Sequence, residues 1–202
     1  MIDLVDEAPW HVPAREGLLD RVFGQARYEK PSERLREGRL PEIAISAMMG
    51  GDLVGTVRLW RAVTADGRPA LLLGPLAVSP ELQGVGLGGR LMRAALNRAA
   101  VGGHEAVILV GDPGYYARFG FTADHTGALG MPGRYEQRRL LALELVENAL
   151  AGSWGTLAAA APLASVAPTA PALGTPSVDL GPWPQPDGGR EAPLLPGVQV
   201  KH

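Results

Sequence analysis

The chain has 202 residues, 46% of them hydrophobic, and a formal net charge of −2. That length holds one domain with a sizeable core plus some excess, and the near balance of charge gives no reason to expect nucleic acid or an anionic membrane as partner. Cysteine is absent, which removes disulfides, thiolate metal sites and a cysteine nucleophile, and is compatible with a reducing cytosol.

The N-terminal stretch MIDLVDEAPWHV carries acidic rather than basic residues and no apolar run, so it does not read as a signal peptide. No segment approaches the roughly 20 apolar residues of a membrane span. The expectation is a soluble, cytoplasmic protein, a monomer or homodimer. Ile2 to Val5 reads as a short strand. Val12 to Phe23 has helical spacing at Leu18, Leu19, Val22 and Phe23, with Gly24 as its stop. A polar connection, residues 25–30, precedes Pro31-Ser32-Glu33, which opens a short charged helix ended by Gly38. Ile43 to Met49 and Leu53 to Trp60 read as strands joined by the hairpin turn Gly50-Gly51-Asp52. A looser turn, Ala65-Asp66-Gly67, leads to Leu71 to Val78, whose apolar density fits a strand buried on both faces.

Pro80 ends that strand, and Gln83-Gly84-Val85-Gly86-Leu87-Gly88-Gly89 runs directly into a helical pattern. Leu87, Leu91, Ala95 and Ala99 fall on one face, with Arg90, Arg93, Asn97 and Arg98 largely elsewhere. Gly102-Gly103 stops the helix, and Glu105 to Val110 is an apolar strand. A strand, helix, strand unit of this length implies parallel pairing through a right-handed crossover. Asp112-Pro113 opens a short helix to Arg118, Gly120-Phe121 starts a further strand, and Arg138 to Leu145 is the last long one. From Ala158 the chain becomes rich in alanine, proline and glycine, and half of its prolines lie beyond residue 160. Residues 1–157 are therefore expected to fold, and 158–202 to form a disordered or loosely packed tail.

A strand, a glycine-rich bend and a helix N-terminus make an anion cradle, because glycines admit close approach and the first N–H groups of a helix lack partners. Three motifs compete for the bend. The P-loop is excluded, since no lysine or hydroxyl residue follows Gly88-Gly89. The dinucleotide fingerprint is met by Gly84, Gly86 and Gly89, with Asp112 roughly 20 residues on. It should start at the strand's end, however, and Ser79 to Gln83 intervene. The third motif, Q/R-x-x-G-x-G/A, is matched by Gln83, Gly86 and Gly88.

On these residues the stretch LAVSPELQGVGLGGRLM resembles the acetyl-CoA pyrophosphate loop of the GCN5-related N-acetyltransferases (GNAT). GDPGYYARFGF, Gly111 to Phe121, is similar to that superfamily's fourth-helix signature of a tyrosine, a spacer and Gly-Phe. Leu140 to Leu145, followed by Ala149-Leu150, resembles the end of one bacterial branch, the YhbS-like predicted N-acetyltransferases. The resemblance covers about residues 1–157 and implies an α/β (α+β) fold. Its mixed sheet would have six to seven strands, an antiparallel N-terminal half and a splayed parallel pair, flanked by about four helices.

The resemblance also implies a chemistry. Acetyl-CoA is the co-substrate and a primary amine the acceptor. The diphosphate would lie on Gln83, Gly84, Val85, Gly86, Leu87, Gly88 and Gly89, and the pantetheine arm along Leu76-Ala77-Val78. A backbone N–H near Val78 would stabilise the oxyanion of a tetrahedral intermediate. Tyr116, at the family's tyrosine position and also beside the coenzyme, would give the leaving thiolate its proton, with Tyr115 as competitor. The family's acceptor wall maps to Arg27, Tyr28 and Glu29. Glu42, Glu81, Asp112 and His125 are all open as the base, and Arg90, Arg93 and Arg98 as partners of the 3′-phosphate. His11, His104, His125 and His202 are scattered, so no metal is expected. The alternative is a non-catalytic acyl-CoA sensor with the same fold.

Overall fold

A computed structural model describes residues 1–164. In chain order the strands are β1 (Asp3–Asp6), β2 (Ile43–Met49), β3 (Asp52–Val63), β4 (Pro69–Val78), β5 (Ala106–Val110), β6 (Leu129–Gly130), β7 (Leu140–Glu144), β8 (Gly155–Thr156) and β9 (Ala158–Ala159). The α-helices are α1 (Val12–Phe23), α2 (Leu87–Val101) and α3 (Pro113–Tyr116). The main sheet runs β1-β2-β3-β4-β5-β7, with β9 added against β3; β6 and β8 form a separate pair. All neighbours are antiparallel except β4 with β5 in the main sheet and β6 with β8 in the small one. No helix among the described residues is long and apolar enough to cross a membrane.

The four-residue repeat of α2 is its packing face. Leu87, Leu91, Ala95 and Ala99 form one buried cluster with Val57, Leu59, Leu71 and Val107 of the sheet. The opposite face of the sheet, carrying Trp60, Leu72, Ile108 and Ala142, is covered by Leu129, Met131, Leu150 and Leu157. At its other end Leu18 and Leu19 of α1 seal Leu53 and Ala77. β4 is thus enclosed on both sides, as its unbroken apolar run requires.

Three expected elements differ. The charged helix expected from Pro31-Ser32-Glu33 to about Glu37 is only a 3₁₀ turn, Glu33–Leu35. Arg36 Nε donates to Ser32 O at 3.1 Å, and the chain goes on only in isolated turns, Glu37 N–H donating to Glu33 O at 2.9 Å and Arg39 N–H to Arg36 O at 3.0 Å. No strand starts at Gly120-Phe121: Phe121 is buried as a core anchor, and Thr122 makes a single bridge to Ala142. The α-helices therefore number three among the described residues, not four. The alanine run expected to begin the tail is paired at its start, Ala159 opposite Ala62 and Ala158 opposite Val63, and Ala160 N–H donates to Arg61 O at 2.9 Å. Backbone bonding of this kind needs no large side chains. The rest of the expected tail lies outside the described residues.

One buried ion cluster ties α1 to the sheet. The Glu7 carboxylate accepts from Arg15 of α1 and from both Nη2 and Nε of Arg58 on β3, the latter at 3.0 Å. All three side chains are largely withdrawn from solvent. Deleting the carboxylate leaves Arg58 without a carboxylate partner and Arg15 with Glu16 alone, and breaking a buried pair in this way typically costs about 3–5 kcal/mol. Glu7→Ala is expected to lower the urea midpoint accordingly at unchanged m-value; a loss below about 1 kcal/mol would show the cluster to be structurally idle.

Candidate active site

The parallel pairing of β4 and β5 is confined to Leu71 with Val107 and Leu72 with Ile108. Beyond it β5 follows β7 as far as Val110, while β4 follows β3 to Val78, so the two strands part in a wedge. The β3–β4 register shifts between Val57 and Leu59, which bends β4 away at this level. Trp60 Nε1 donates to Gly74 O at 2.6 Å and pins the bend.

Hydrogen bonding alternates along an antiparallel pair. Ser79 N–H donates to Val54 O at 2.9 Å, whereas Val78 stands opposite Gly55 and Leu76 opposite Val57. Val78 and Leu76 therefore turn their N–H and C=O groups away from β3 and into the wedge.

Below the wedge a 3₁₀ turn, Pro80–Leu82, leads through Gln83 to Gly84 and Gly86, whose φ values of 82° and 84° are left-handed. That conformation suits glycine and reverses the chain into α2. Among the described residues the N–H groups of Gly84 through Gly89 have no hydrogen-bond acceptor. Arg90 is the first to bond, to Gly86 O at 3.1 Å. These amides sit where the helix dipole is positive.

They open on a groove of about 500 Å³ lined by Leu76 to Val78, Gln83, Gly84 and Gly86 to Gly89. The other wall is Val22 and Phe23 of α1, Arg93 of α2, and Tyr115, Arg118 and Phe119. Of the bend residues expected there, Val85 is exposed and absent from the lining. Phe23, Leu76 and Tyr115 also line a second chamber of about 430 Å³ inside the wedge, with Leu73 to Pro75 on one side and Leu109 to Asp112 on the other.

Tyr116 lies in the chamber and not in the groove. Asp112 caps α3, accepting from Tyr115 N–H at 3.0 Å. The Tyr116 ring meets the edges of Tyr115 and Phe121, with centroids 5.0 and 5.9 Å away. It also lies so close to Gly111 that a Cβ there would come within 2.1 Å of Tyr116 Cε2. Burial pushes the Tyr116 phenol above its usual range, and the neighbouring Tyr115 adds to the rise. The Tyr115 hydroxyl faces the groove, 3.2 Å from where a Cβ on Gly88 would be.

The open candidates separate by position. Glu42 is bound by Arg61 and lies near His104; it lines neither cavity. Glu81 accepts from Ser79 Oγ at 2.6 Å, which lowers its pKa, and also lies outside both. His125 stands 3.7 Å from Glu144. Only Asp112 of the four lines the chamber, and Glu33, which the sequence did not single out, joins it. Arg93 lines the groove, whereas Arg90 donates to Ile2 O and Arg98 pairs with Asp6. Arg27 lines the chamber but is held by Glu16 and Asp20; Tyr28 stacks on Arg27 at 4.1 Å outside the chamber, and Glu29 lines neither cavity. Lys30, Arg36 and Arg139 are chamber residues that sequence spacing could not reveal, because three separate segments bring them together.

Comparison with known proteins agrees with this architecture. Residues 42–123 match the acetyltransferase (GNAT) domain family. The chain is 35% identical over 102 residues to the uncharacterized N-acetyltransferase YjhQ of Escherichia coli K12, spanning 49% of this chain and 56% of that protein. It is 32% identical over 132 residues to the uncharacterized N-acetyltransferase YhbS of the same strain, spanning 63% of this chain and 78% of that one. The crystal structure of E. coli YhbS in complex with CoA superposes with a TM-score of 0.69 at 26% identity, covering 78% of this chain and 89% of that one. A GNAT acetyltransferase from Brucella melitensis shares the fold, with a TM-score of 0.54 at 23% identity over 71% of this chain and 88% of the other. A splayed parallel pair above a glycine-rich helix start, together with this similarity along most of YhbS, establishes that the chain belongs to the GNAT acetyltransferase family, in its YhbS-like branch.

Proposed function

We propose that the protein moves an acetyl group from acetyl-CoA to a primary amine by direct attack of the amine on the thioester. The observation that carries this reading is the run of unbonded amides from Gly84 to Gly89 beside a wedge into which Val78 turns its N–H. Such a run is a fit for a diphosphate, and Gly88, which lines the same groove, adds no side chain to it. The E. coli relative YhbS holds CoA, in line with this assignment.

In this reading each group has one task. The amides of Gly84 to Gly89 hold the diphosphate, and Arg93 and Arg118 stand along the same groove as cations. Leu76 and Val78 offer main-chain groups to the pantetheine arm as an added strand would. The Val78 N–H polarises the thioester carbonyl and stabilises charge as it develops there. Tyr116 keeps its proton through the neutral range and donates it to the departing thiolate. With no cysteine in the chain, a thiol-borne acyl-enzyme is ruled out. Acceleration comes largely from holding two substrates in cavities that share Phe23, Leu76 and Tyr115.

The test is thiol release from acetyl-CoA against a panel of amines. Amine-dependent release well above hydrolysis is expected. Tight CoA binding with no release on any amine would instead make the protein an acyl-CoA-binding module.

A further inference from the structure

We propose that the acceptor amine also carries an oxyanion, a carboxylate or a phosphate, held by Lys30, Arg36 and Arg139 in the wedge chamber. The inference rests on the acetyltransferase reading and names the substrate class of the same site.

The chamber is lined by four cations, Arg27, Lys30, Arg36 and Arg139, and two acids, Glu33 and Asp112. The ion pairs dispose of some of this charge. Arg27 is neutralised by Glu16 at 2.5 Å and Asp20 at 2.8 Å. Glu33 is committed to Arg36 Nη2 at 2.7 Å, and Asp112 spends an oxygen on the N–H of Tyr115. The cations that remain are under-matched. Lys30 forms no ion pair among the described residues and rests its ammonium 4.4 Å over the Phe23 ring. Arg139 reaches only 4.0 Å from Glu136, whose carboxylate is held at 2.6 Å by Arg138.

Arg36 is the informative member. Its side chain is 7% exposed. Nε and Nη2 bind Ser32 and Glu33, but Nη1 has no acceptor among the described residues and lies 3.7 Å from where a Cβ on Gly74 would be. A buried guanidinium with a spare fork edge at the parting of β4 and β5 is a site for a planar or tetrahedral oxyanion. The charges also repel one another. Partial withdrawal of the ammonium from water lowers the Lys30 pKa, and Arg36 and Arg139 lower it further. Burial likewise lowers that of Arg36, with Arg58 and Arg27 adding to the fall against Glu33. A bound anion would relieve both.

The same cavity argues against polycationic acceptors, which would meet these groups head on. Its volume of about 430 Å³ suits a small metabolite. A continuation of about 440 Å³ past Lys30 and Arg139 adds one more cation, Arg134, against Glu136.

The experiment measures kcat/KM at saturating acetyl-CoA for matched acceptors: amino acids against their amides, O-phosphoethanolamine against ethanolamine, and spermidine. The anionic member of at least one pair is expected to lead its neutral twin by about 10- to 100-fold, the range of a charge-assisted contact. Which pair shows it distinguishes carboxylate from phosphate. Lys30→Gln and Arg139→Gln, both on exposed side chains and checked for unchanged melting, should each compress that ratio about tenfold. Equal or better use of the neutral twin in both pairs, or of spermidine over the anionic amines, would overturn the proposal while leaving acetyl transfer intact. Failure of every amine to release CoA would remove the acetyltransferase reading and this inference with it. An anionic preference that survives both substitutions together with Arg36→Gln would reject these residues as its source.

Discussion

Gly88→Val is expected to weaken CoA binding at least 100-fold, read by titration calorimetry, while the protein melts no earlier than the wild type. Gly88 stands in the first turn of α2 with an ordinary helical φ, so a side chain there introduces no backbone strain. Replacing glycine in a helix also removes freedom from the unfolded chain and tends to stabilise. A Cβ at this position comes within 3.2 Å of the Tyr115 hydroxyl, 3.7 Å of Leu76 and 3.8 Å of Val78. The hydroxyl can swing aside, which spares the fold. The γ-methyls of valine then occupy the groove in front of the first-turn amides, where the diphosphate must approach. Loss of two or more charge-assisted contacts accounts for a hundredfold change, about 2.7 kcal/mol. Gly86 is a poorer probe, because its φ of 84° makes any side chain strained with or without ligand. Affinity within threefold of wild type for Gly88→Val would mean that the coenzyme binds elsewhere.

Tyr116→Phe is expected to lower kcat about 100-fold with the KM for acetyl-CoA unchanged. General acid catalysis is typically worth about 10²- to 10⁴-fold, and the low end applies because a thiolate of pKa about 8.5 is already a fair leaving group. The substitution removes one oxygen and leaves the ring against Gly111 and Phe121, so packing is preserved. The pH profile carries the sign of the effect. Burial first, and then Tyr115, hold the phenol above its ordinary value near 10, with only Arg139 opposing. The donor is therefore fully protonated throughout the neutral and mildly alkaline range. The wild-type kcat should show no alkaline fall below about pH 10, and the rise from acid pH should report deprotonation of the acceptor amine. Tyr115→Phe, by contrast, should leave kcat within a few-fold, since that hydroxyl faces the diphosphate side at Gly88. A large kcat defect for Tyr115→Phe and none for Tyr116→Phe would exchange their roles.

Much of the framework was legible because local rules and tertiary packing agree there. The spacing of Leu18, Leu19, Val22 and Phe23, with Gly24 after it, marks α1 to the residue. The repeat Leu87, Leu91, Ala95, Ala99 becomes the buried face of α2. Gln83 to Gly89 was readable as an anion site because the feature is made of backbone, and glycine spacing encodes backbone directly. Legibility failed where side-chain geometry or distant pairing decides. Arg36 looked like one charge on a polar helix, yet it is buried and brings its Nη1 up to Gly74 at the parting of β4 and β5. Phe121 read as the start of a strand because apolar density does not distinguish an anchor from a ladder residue. The alanines at 158–159 read as tail, since side chains too small to announce a strand can still add one through main-chain bonds.

The most direct measurement is a structure of the protein with CoA bound. The diphosphate oxygens should lie within hydrogen-bond distance of main-chain N–H groups between Gly84 and Gly89, with the pantetheine arm alongside Leu76 and Val78. A diphosphate held elsewhere, with these amides left to solvent, would contradict the central claim.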